Sequence, residues 1–340
     1  MRFLVALPLL LAACAPAVFP ARTLPDTVAA LPFAADTAHL RVVVMGDQGT
    51  GTDVQWRVAA AMREVCAAQG CDLGVALGDN FYPAGPKSLD STLFRDRFEV
   101  PYGPLKVPFL VVPGNHDESW LFGGDGADSR GADVQVAYAK VNPQWVMPAR
   151  TYRAPVGTLA EFFAVDTSPL AAYLPPRRAD ERQGGAWDVA QRAWLTGALA
   201  ASHARWKLVL GHHPLFSNSA HGDAGQYDGL GLSFQRGDGV RQLYTLACGR
   251  ADLLLSGHDH ALEVFGPQPE CPGTWTAVSG AAGKPSSPGG GTRAAAFEAY
   301  GKPGFMVLDV TPDALTVQVY MLDGAGAAVL AHTQVITPRP

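Results

Sequence analysis

Five short turns in this chain each carry residues whose types suit hard-metal chemistry. They read Gly46-Asp47-Gln48-Gly49, Gly78-Asp79-Asn80-Phe81-Tyr82, Gly114-Asn115-His116-Asp117, Gly211-His212-His213-Pro214 and Gly257-His258-Asp259-His260. Carboxylate, phenol, carboxamide and imidazole donors are the set that binds hard and borderline cations. Each turn alone says little, because Gly-Asp is an ordinary turn pair and a single histidine is most often a packed or turn residue. His258-x-His260 says more, since alternate residues of an extended segment point the same way. The conjunction decides: five of the nine histidines fall in these turns, while His39, His203 and His332 stand elsewhere. Donors of this kind in five separate turns predict a metal centre. Neighbours on an extended segment face opposite sides, so only one of His212 and His213 is expected to face the metals. Tyr82 adds a hard anionic phenolate, which suits a trivalent ion, while an asparagine–histidine set suits a divalent one.

Such turns must be held by something, and each follows a short apolar run. Strands are predicted over Leu40–Met45, Leu73–Leu77, Phe109–Val112, Phe162–Val165, Lys207–Leu210 and Leu253–Leu255. Their continuous apolar character fits strands covered on both faces. Helices are predicted over Asp53–Cys66, with Asp53 as N-cap, and over Asp188–Ser202. Strand–helix alternation implies parallel βαβ units, and ligands of such sheets lie beyond the carboxyl ends of the strands. The last third, with Phe305–Val310 and Leu315–Tyr320, reads as antiparallel strands and a possible second sheet. Residues 117–150 are the least regular stretch. Asp125 and Asp128 lack the spacing and terminal glutamate of a calcium loop, and Pro288-Gly289-Gly290-Gly291 lacks the Lys-Ser/Thr of a phosphate-binding loop. Both are expected as surface loops. No Gly-x-Ser-x-Gly elbow offers a serine nucleophile.

The ordered set Asp47-x-Gly49, Gly78-Asp79-x-x-Tyr82, Gly114-Asn115-His116-Asp117, Val209-x-x-His212 and Gly257-His258-x-His260 resembles the calcineurin-like metallophosphoesterases. Tyr82 narrows the resemblance to the purple acid phosphatase branch, in its small, single-domain, tartrate-resistant-like form. The resemblance implies an α/β (α+β) fold, a four-layer α/β/β/α sandwich of two mixed β-sheets, with one catalytic domain over 37–336. It implies that Asp47, Tyr82 and His260 hold one metal, that Asn115, His212 and His258 hold a second, and that Asp79 bridges them. Fe(III) is implied at the Asp47/Asp79/Tyr82/His260 site and divalent Fe, Zn or Mn at the Asp79/Asn115/His212/His258 site, giving a purple or pink protein. His116 would position substrate or act as general acid, and His221, in Ala220-His221-Gly222, resembles a further active-site histidine. The implied reaction is phosphomonoester hydrolysis by direct attack of a metal-bound hydroxide, with two cations roughly 3.5–4 Å apart clamping the displacement. The alternatives are a phosphodiesterase or a nucleotide- or phospholipid-specific phosphatase on the same metals, and a catalytically silent metal-binding lipoprotein.

The N-terminus sets the compartment. Arg2 and the apolar run Phe3–Ala13 have the layout of a secretory signal, too short to span a bilayer. Leu11-Ala12-Ala13-Cys14 resembles a bacterial lipobox, which implies a lipid on Cys14 and a protein facing the periplasm or cell exterior. Residues 14–36 are rich in Ala and Pro and read as a tether. The four remaining cysteines, Cys66, Cys71, Cys248 and Cys271, suit disulfides in an oxidising space, in any of three pairings. The chain is 340 residues long, 48% hydrophobic and 17% charged, which is globular, and its net charge of −5 with no basic run excludes an electrostatic nucleic-acid binder. The expected partners are small-molecule phosphate esters, and the membrane through Cys14 alone.

Overall fold

The computed structural model describes residues 23–232 and 234–339. The signal segment 1–13, Cys14 and the first part of the 14–36 segment lie outside the described residues. The strands are β1 (Leu40–Met45), β2 (Leu73–Ala76), β3 (Phe109–Val111), β4 (Trp145–Val146), β5 (Tyr152–Val156), β6 (Ala160–Ala164) and β7 (Trp206–Leu210). They continue with β8 (Leu253–Ser256), β9 (Leu262–Phe265), β10 (Trp275–Ser279), β11 (Phe297–Ala299), β12 (Gly304–Val310), β13 (Leu315–Leu322) and β14 (Ala328–Ile336). They form two mixed sheets, ordered β14-β13-β12-β1-β2-β3-β4 and β11-β9-β10-β8-β7-β6-β5.

The alternation of side chains along each strand builds the layers. In the second sheet Phe162, Leu208, Leu253, Leu255 and Val264 join one large core with Val43, Phe109 and Phe305 of the first sheet. Their neighbours Phe163, Val209, Leu254 and Phe265 point the other way, into a smaller core with Leu195, Leu199, Val240 and Leu243 from helices Ala186–Ala201 and Asp238–Thr245. Helix Asp53–Gln69 buries Val58, Ala59 and Met62 beside the first sheet. The result is helix, sheet, sheet, helix, the four-layer α/β sandwich implied by the motifs. Sheets so covered are apolar on both faces, which is why β1 and β2 read as unbroken hydrophobic runs.

Four expectations change. The C-terminal strands do not make a sheet of their own: β12 pairs antiparallel with β1, Val43 opposite Val307, and β13 and β14 follow it. Short-turn strands add antiparallel, so a meander suits the edge that the parallel crossovers leave open. The stretch 117–150 is more ordered than its composition suggests, with helix Arg130–Tyr138 and β4 inside it. The 14–36 segment, where described, is not a free tether. Val28 bridges to Arg153, Asp26 pairs with Arg153 at 2.8 Å, Ala29 is buried, and Leu31 and Phe33 pack on the large core. Its prolines keep it extended while its apolar residues dock. Cysteine pairing resolves as Cys66–Cys71 and Cys248–Cys271, with Cα atoms 5.1 and 4.8 Å apart. Helix Asp53–Gln69 runs past Cys66, starts after Thr52 rather than at an Asp53 cap, and ends at Gly70.

Candidate metal centre

Parallel register brings the turns to one rim. Met45 lies opposite Ala76, Ala76 opposite Val111, and Leu210 opposite Leu255. The first sheet therefore delivers Asp47, Asp79, Tyr82, Asn115 and His116, and the second His212, His258 and His260, to the seam between the sheets. Bonds across that seam fix the two halves: Ser279 Oγ donates to Val44 O at 3.1 Å and His212 Nδ1 to Leu77 O at 2.8 Å. The turns are strained to reach inward. Among described residues four non-glycines have a left-handed φ, and three are Asp47 (59°), Asp79 (52°) and His258 (65°), the fourth being Lys106. Left-handed backbone outside glycine is uncommon and gathers at functional sites. The flanking glycines have a steric reason: a Cβ on Gly114 would lie 2.2 Å from Asp79 Oδ1, and one on Gly257 2.5 Å from Asp47 Oδ2.

The donors converge. Ligand atoms of Asp47, Asp79 and His212 lie within 4.8 Å of one another, as do those of His212, His213 and His258. Tyr82 Oη stands 3.0 Å from Asp47 Oδ1 and 3.2 Å from His260 Nε2. The contact between Asn115 and His212 tests whether a cation fits. A carbonyl only accepts, so His212 must donate through Nδ1 to Leu77 O. A neutral ring then turns a bare Nε2 lone pair toward Asn115 Oδ1, 2.9 Å away. Asn115 cannot turn its amide to help, because its Nδ2 donates to Gly124 O at 2.8 Å. Two acceptors held face to face are the arrangement a cation satisfies. The residues fit a metal.

Electrostatics agree. Burial would raise the Asp79 carboxyl, but the His212 and His116 rings, the His116 backbone N–H and the Tyr82 hydroxyl hold it at about 2. Burial first, and then the crowding of the neighbouring His221, His213, His212 and His260 imidazoles, hold His258 well below the ordinary histidine range, neutral and free to ligate. Packing around its hydroxyl and the charges of Asp47 and Asp79 push the half-buried Tyr82 phenol well above its usual value. A cation beside it reverses that sign.

All nine singled-out site residues gather here. His116 Nδ1 meets Pro83 O at 2.8 Å, which leaves its Nε2 3.9 Å from Asp79 Oδ2. His221 stacks on the His258 ring at 4.2 Å, its Nδ1 2.7 Å from Asp228. Burial opposes its charge, yet the bond to Asp228 and the charges of Asp259, Asp228 and Asp47 raise its pKa overall. His213 departs from the alternation argument: its ring centroid is 4.3 Å from that of His258, although Nδ1 is engaged by Thr167 Oγ1 at 2.9 Å. Both histidines lie past the end of β7, where strand alternation no longer holds. Sequence reasoning gave no role to two buried acids. Asp117 accepts from Gly114 N, Asn80 N, Asn80 Nδ2 and Phe81 N, clasping the second and third turns. Asp259 accepts from His221 N and Gly222 N, seating the His221 loop. Their places inside the motifs were the available signal. Tyr173 and Lys284, which help line the 300 Å³ pocket over the centre, had none.

A two-sheet sandwich with a metal-ligand rim at its seam defines a class, the metallophosphoesterases. Residues 40–262 match the family model for calcineurin-like phosphoesterases. Human tartrate-resistant acid phosphatase type 5 is 30% identical over 257 residues, 68% of this chain and 71% of the relative. Arabidopsis thaliana purple acid phosphatase 4 is 29% identical over 233 residues, 65% of this chain and 62% of the relative. Purple acid phosphatase PPD1 from yellow lupin superposes with a TM-score of 0.64 at 17% identity, covering 91% of this chain and 56% of the lupin chain. The structure described as GAP50, the anchor in the inner membrane complex of Plasmodium, gives 0.68 at 19%, covering 89% of this chain and 90% of the other. At those identities the two superpositions speak for the fold. The chain belongs to the calcineurin-like phosphoesterase family, in its purple acid phosphatase branch, and is a phosphoester hydrolase.

Proposed function

We propose that residues 37–336 form one catalytic domain that hydrolyses small phosphomonoesters at a dinuclear centre. Asp47, Tyr82 and His260 would hold one cation, Asn115, His212 and His258 the other, with Asp79 shared. Fe(III) suits the phenolate-bearing side and divalent Fe, Zn or Mn the other. When bound, the pair supplies Lewis acidity toward phosphate and acidifies water at neutral pH. The protein's own groups do the rest. His116, fixed through Pro83 O, and His221, fixed by Asp228, each keep one nitrogen free to protonate the leaving oxygen. Asp117 and Asp259 hold the loops that carry them. The convergence of the Asp47, Asp79 and His212 ligand atoms, with Asn115 Oδ1 2.9 Å from His212 Nε2 and Tyr82 Oη 3.0 Å from Asp47, carries this reading. Export is part of the proposal, supported by two disulfides, with Cys14 as the lipid attachment site of a protein facing the periplasm or cell exterior.

Elemental analysis of the purified protein together with a mono- and diester panel tests the reading. Two metals per chain and faster turnover of p-nitrophenyl phosphate than of its bis-ester are expected. Asp79→Asn should lower kcat/KM on the order of 10³-fold, in keeping with the loss of several kcal/mol of charge stabilisation. A metal-free active enzyme, or preference for the diester, overturns it.

A further inference from the structure

Trp120, Leu121 and Phe122 present three consecutive large apolar side chains to solvent, 44%, 66% and 53% exposed. A contiguous exposed apolar run marks a surface that something covers. The run is not slack chain. The fully buried Asp125 carboxylate accepts from Trp120 N at 2.9 Å, Leu121 N at 2.7 Å, Phe122 N at 2.9 Å and Ala127 N at 3.0 Å. That carboxylate fixes the loop with its apolar tip held outward. A second tip, Leu230 and Leu232, hangs from the same strut. Leu230 N donates to Gln235 Oε1, Gln235 Nε2 to Tyr173 O, and Tyr173 N to Asp125 O. Phe122 and Tyr173 also wall the metal pocket, so the tips stand at its mouth.

Charge identifies the occupant. On the other side of Trp120 lies a cavity of about 340 Å³ whose lining includes Lys87, Arg130 and Arg177, with Asp128 as its one acid, shared by both arginines so that the lining keeps a net positive charge. The Arg177 guanidinium sits 5.0 Å over the Trp120 ring. The chain as a whole carries −5, so this positive excess runs against its background. Apolar tips beside an aromatic ring and basic side chains are what an anionic bilayer takes: the tips enter the acyl boundary and the cations meet lipid phosphates. Projecting tips on separate loops suit a fluid surface, which needs no matching shape, better than a folded partner.

We infer that the mouth of the metal centre docks on an anionic phospholipid bilayer and takes from it a lipid bearing a terminal phosphomonoester. The inference rests on the phosphomonoesterase reading. Water oxygen bonds to phosphorus, the lipid C–O–P ester breaks at P–O, and the lipid alcohol leaves with a proton as inorganic phosphate is released.

The test compares kcat/KM for a diacylglycerol phosphate in phosphatidylglycerol vesicles with that for soluble p-nitrophenyl phosphate, using the intact metal-loaded chain. Leu121→Asp should lower the vesicle rate roughly tenfold and Arg130→Gln about fivefold. Neither should shift the soluble rate beyond about twofold, and Leu121→Phe should keep both. Should Leu121→Asp not fold, Arg130→Gln decides, since its side chain is exposed. Unchanged vesicle rates in the variants, or a wild type active on the soluble ester alone, overturn the inference. So does an equal loss on a soluble phosphopeptide, which would make the surface a protein dock. A wild type inactive on both substrates overturns the phosphatase reading itself.

Discussion

At Tyr82 the carboxylates of Asp47 and Asp79 and the ring of His260 crowd one phenolic proton. The phenol keeps that proton until a cation replaces it. With iron bound, the proposed phenolate gives the protein a visible charge-transfer band. Tyr82→Phe should abolish the band while the Asn115/His212/His258 side still retains its metal, as absorbance and metal analysis would reveal; an unchanged band excludes Tyr82 as a ligand. The candidate ligands were legible because their spacing is local and each turn opens on a glycine. The left-handed backbone at Asp47, Asp79 and His258 was not, since sequence offers no mark for a non-glycine residue forced there by tertiary contacts. The nearness of His213 to His258 was missed for a related reason: a periodicity rule was carried past the end of its strand.

Strands that are apolar on both faces announce themselves, and β1, β2, β3, β7 and β8 were readable to within a residue or two. The loops were harder because their polarity is turned inward. Asp117, Asp125 and Asp259 are buried acceptors for backbone N–H groups, yet in sequence they look like solvent-facing turn residues. Arg150 shows the same inversion. Its buried guanidinium meets Asp166 at 3.1 Å, Glu118 at 3.7 Å and Glu181, joining the segment after Asn115 and His116 to the segment before Thr167. Burial raises Asp166 to about 6, even with Arg150 pulling it down. Arg150→Gln would leave the buried carboxylates of Glu118 and Asp166 without their cation, while Glu181 keeps Arg178 at 3.4 Å, and should cost about 3–5 kcal/mol in urea unfolding. A loss under 1 kcal/mol would show that the cluster relaxes or takes up protons instead.

At the scale of the whole molecule, pH acts through Glu263, fully buried on β9 and bonded by Ser217 Oγ, Asn218 N and Tyr300 Oη. Burial lifts its carboxyl from 4.5 to about 7, against the pull of those bonds. The folded chain thus keeps a proton that the unfolded chain releases. Both states are protonated below pH 4.5, so the penalty is absent there and grows as pH rises to 7, reaching at most about 3 kcal/mol. Stability should fall across that window, and Asp166 acts in the same direction up to about 6. Glu263→Gln removes the Glu263 share of the slope, and the buried Asp117, Glu118 and Asp259, raised by burial, keep theirs. Urea midpoints at pH 5 and 7.5 should differ less in the variant than in wild type, and equal differences would assign the slope to other groups.

The three left-handed candidate ligands, Asp47, Asp79 and His258, carry a further consequence. Their backbone strain, of order 1–3 kcal/mol each, and the crowding of His212, His213, His221 and His258 are offset when cations bind the folded chain, because binding to the folded state alone stabilises it. Metal supply then governs the lifetime of the molecule as well as its rate. In a metal-starved compartment this chain is expected to be lost to proteases before it accumulates as an idle enzyme, and protease resistance with and without chelator reads that difference directly.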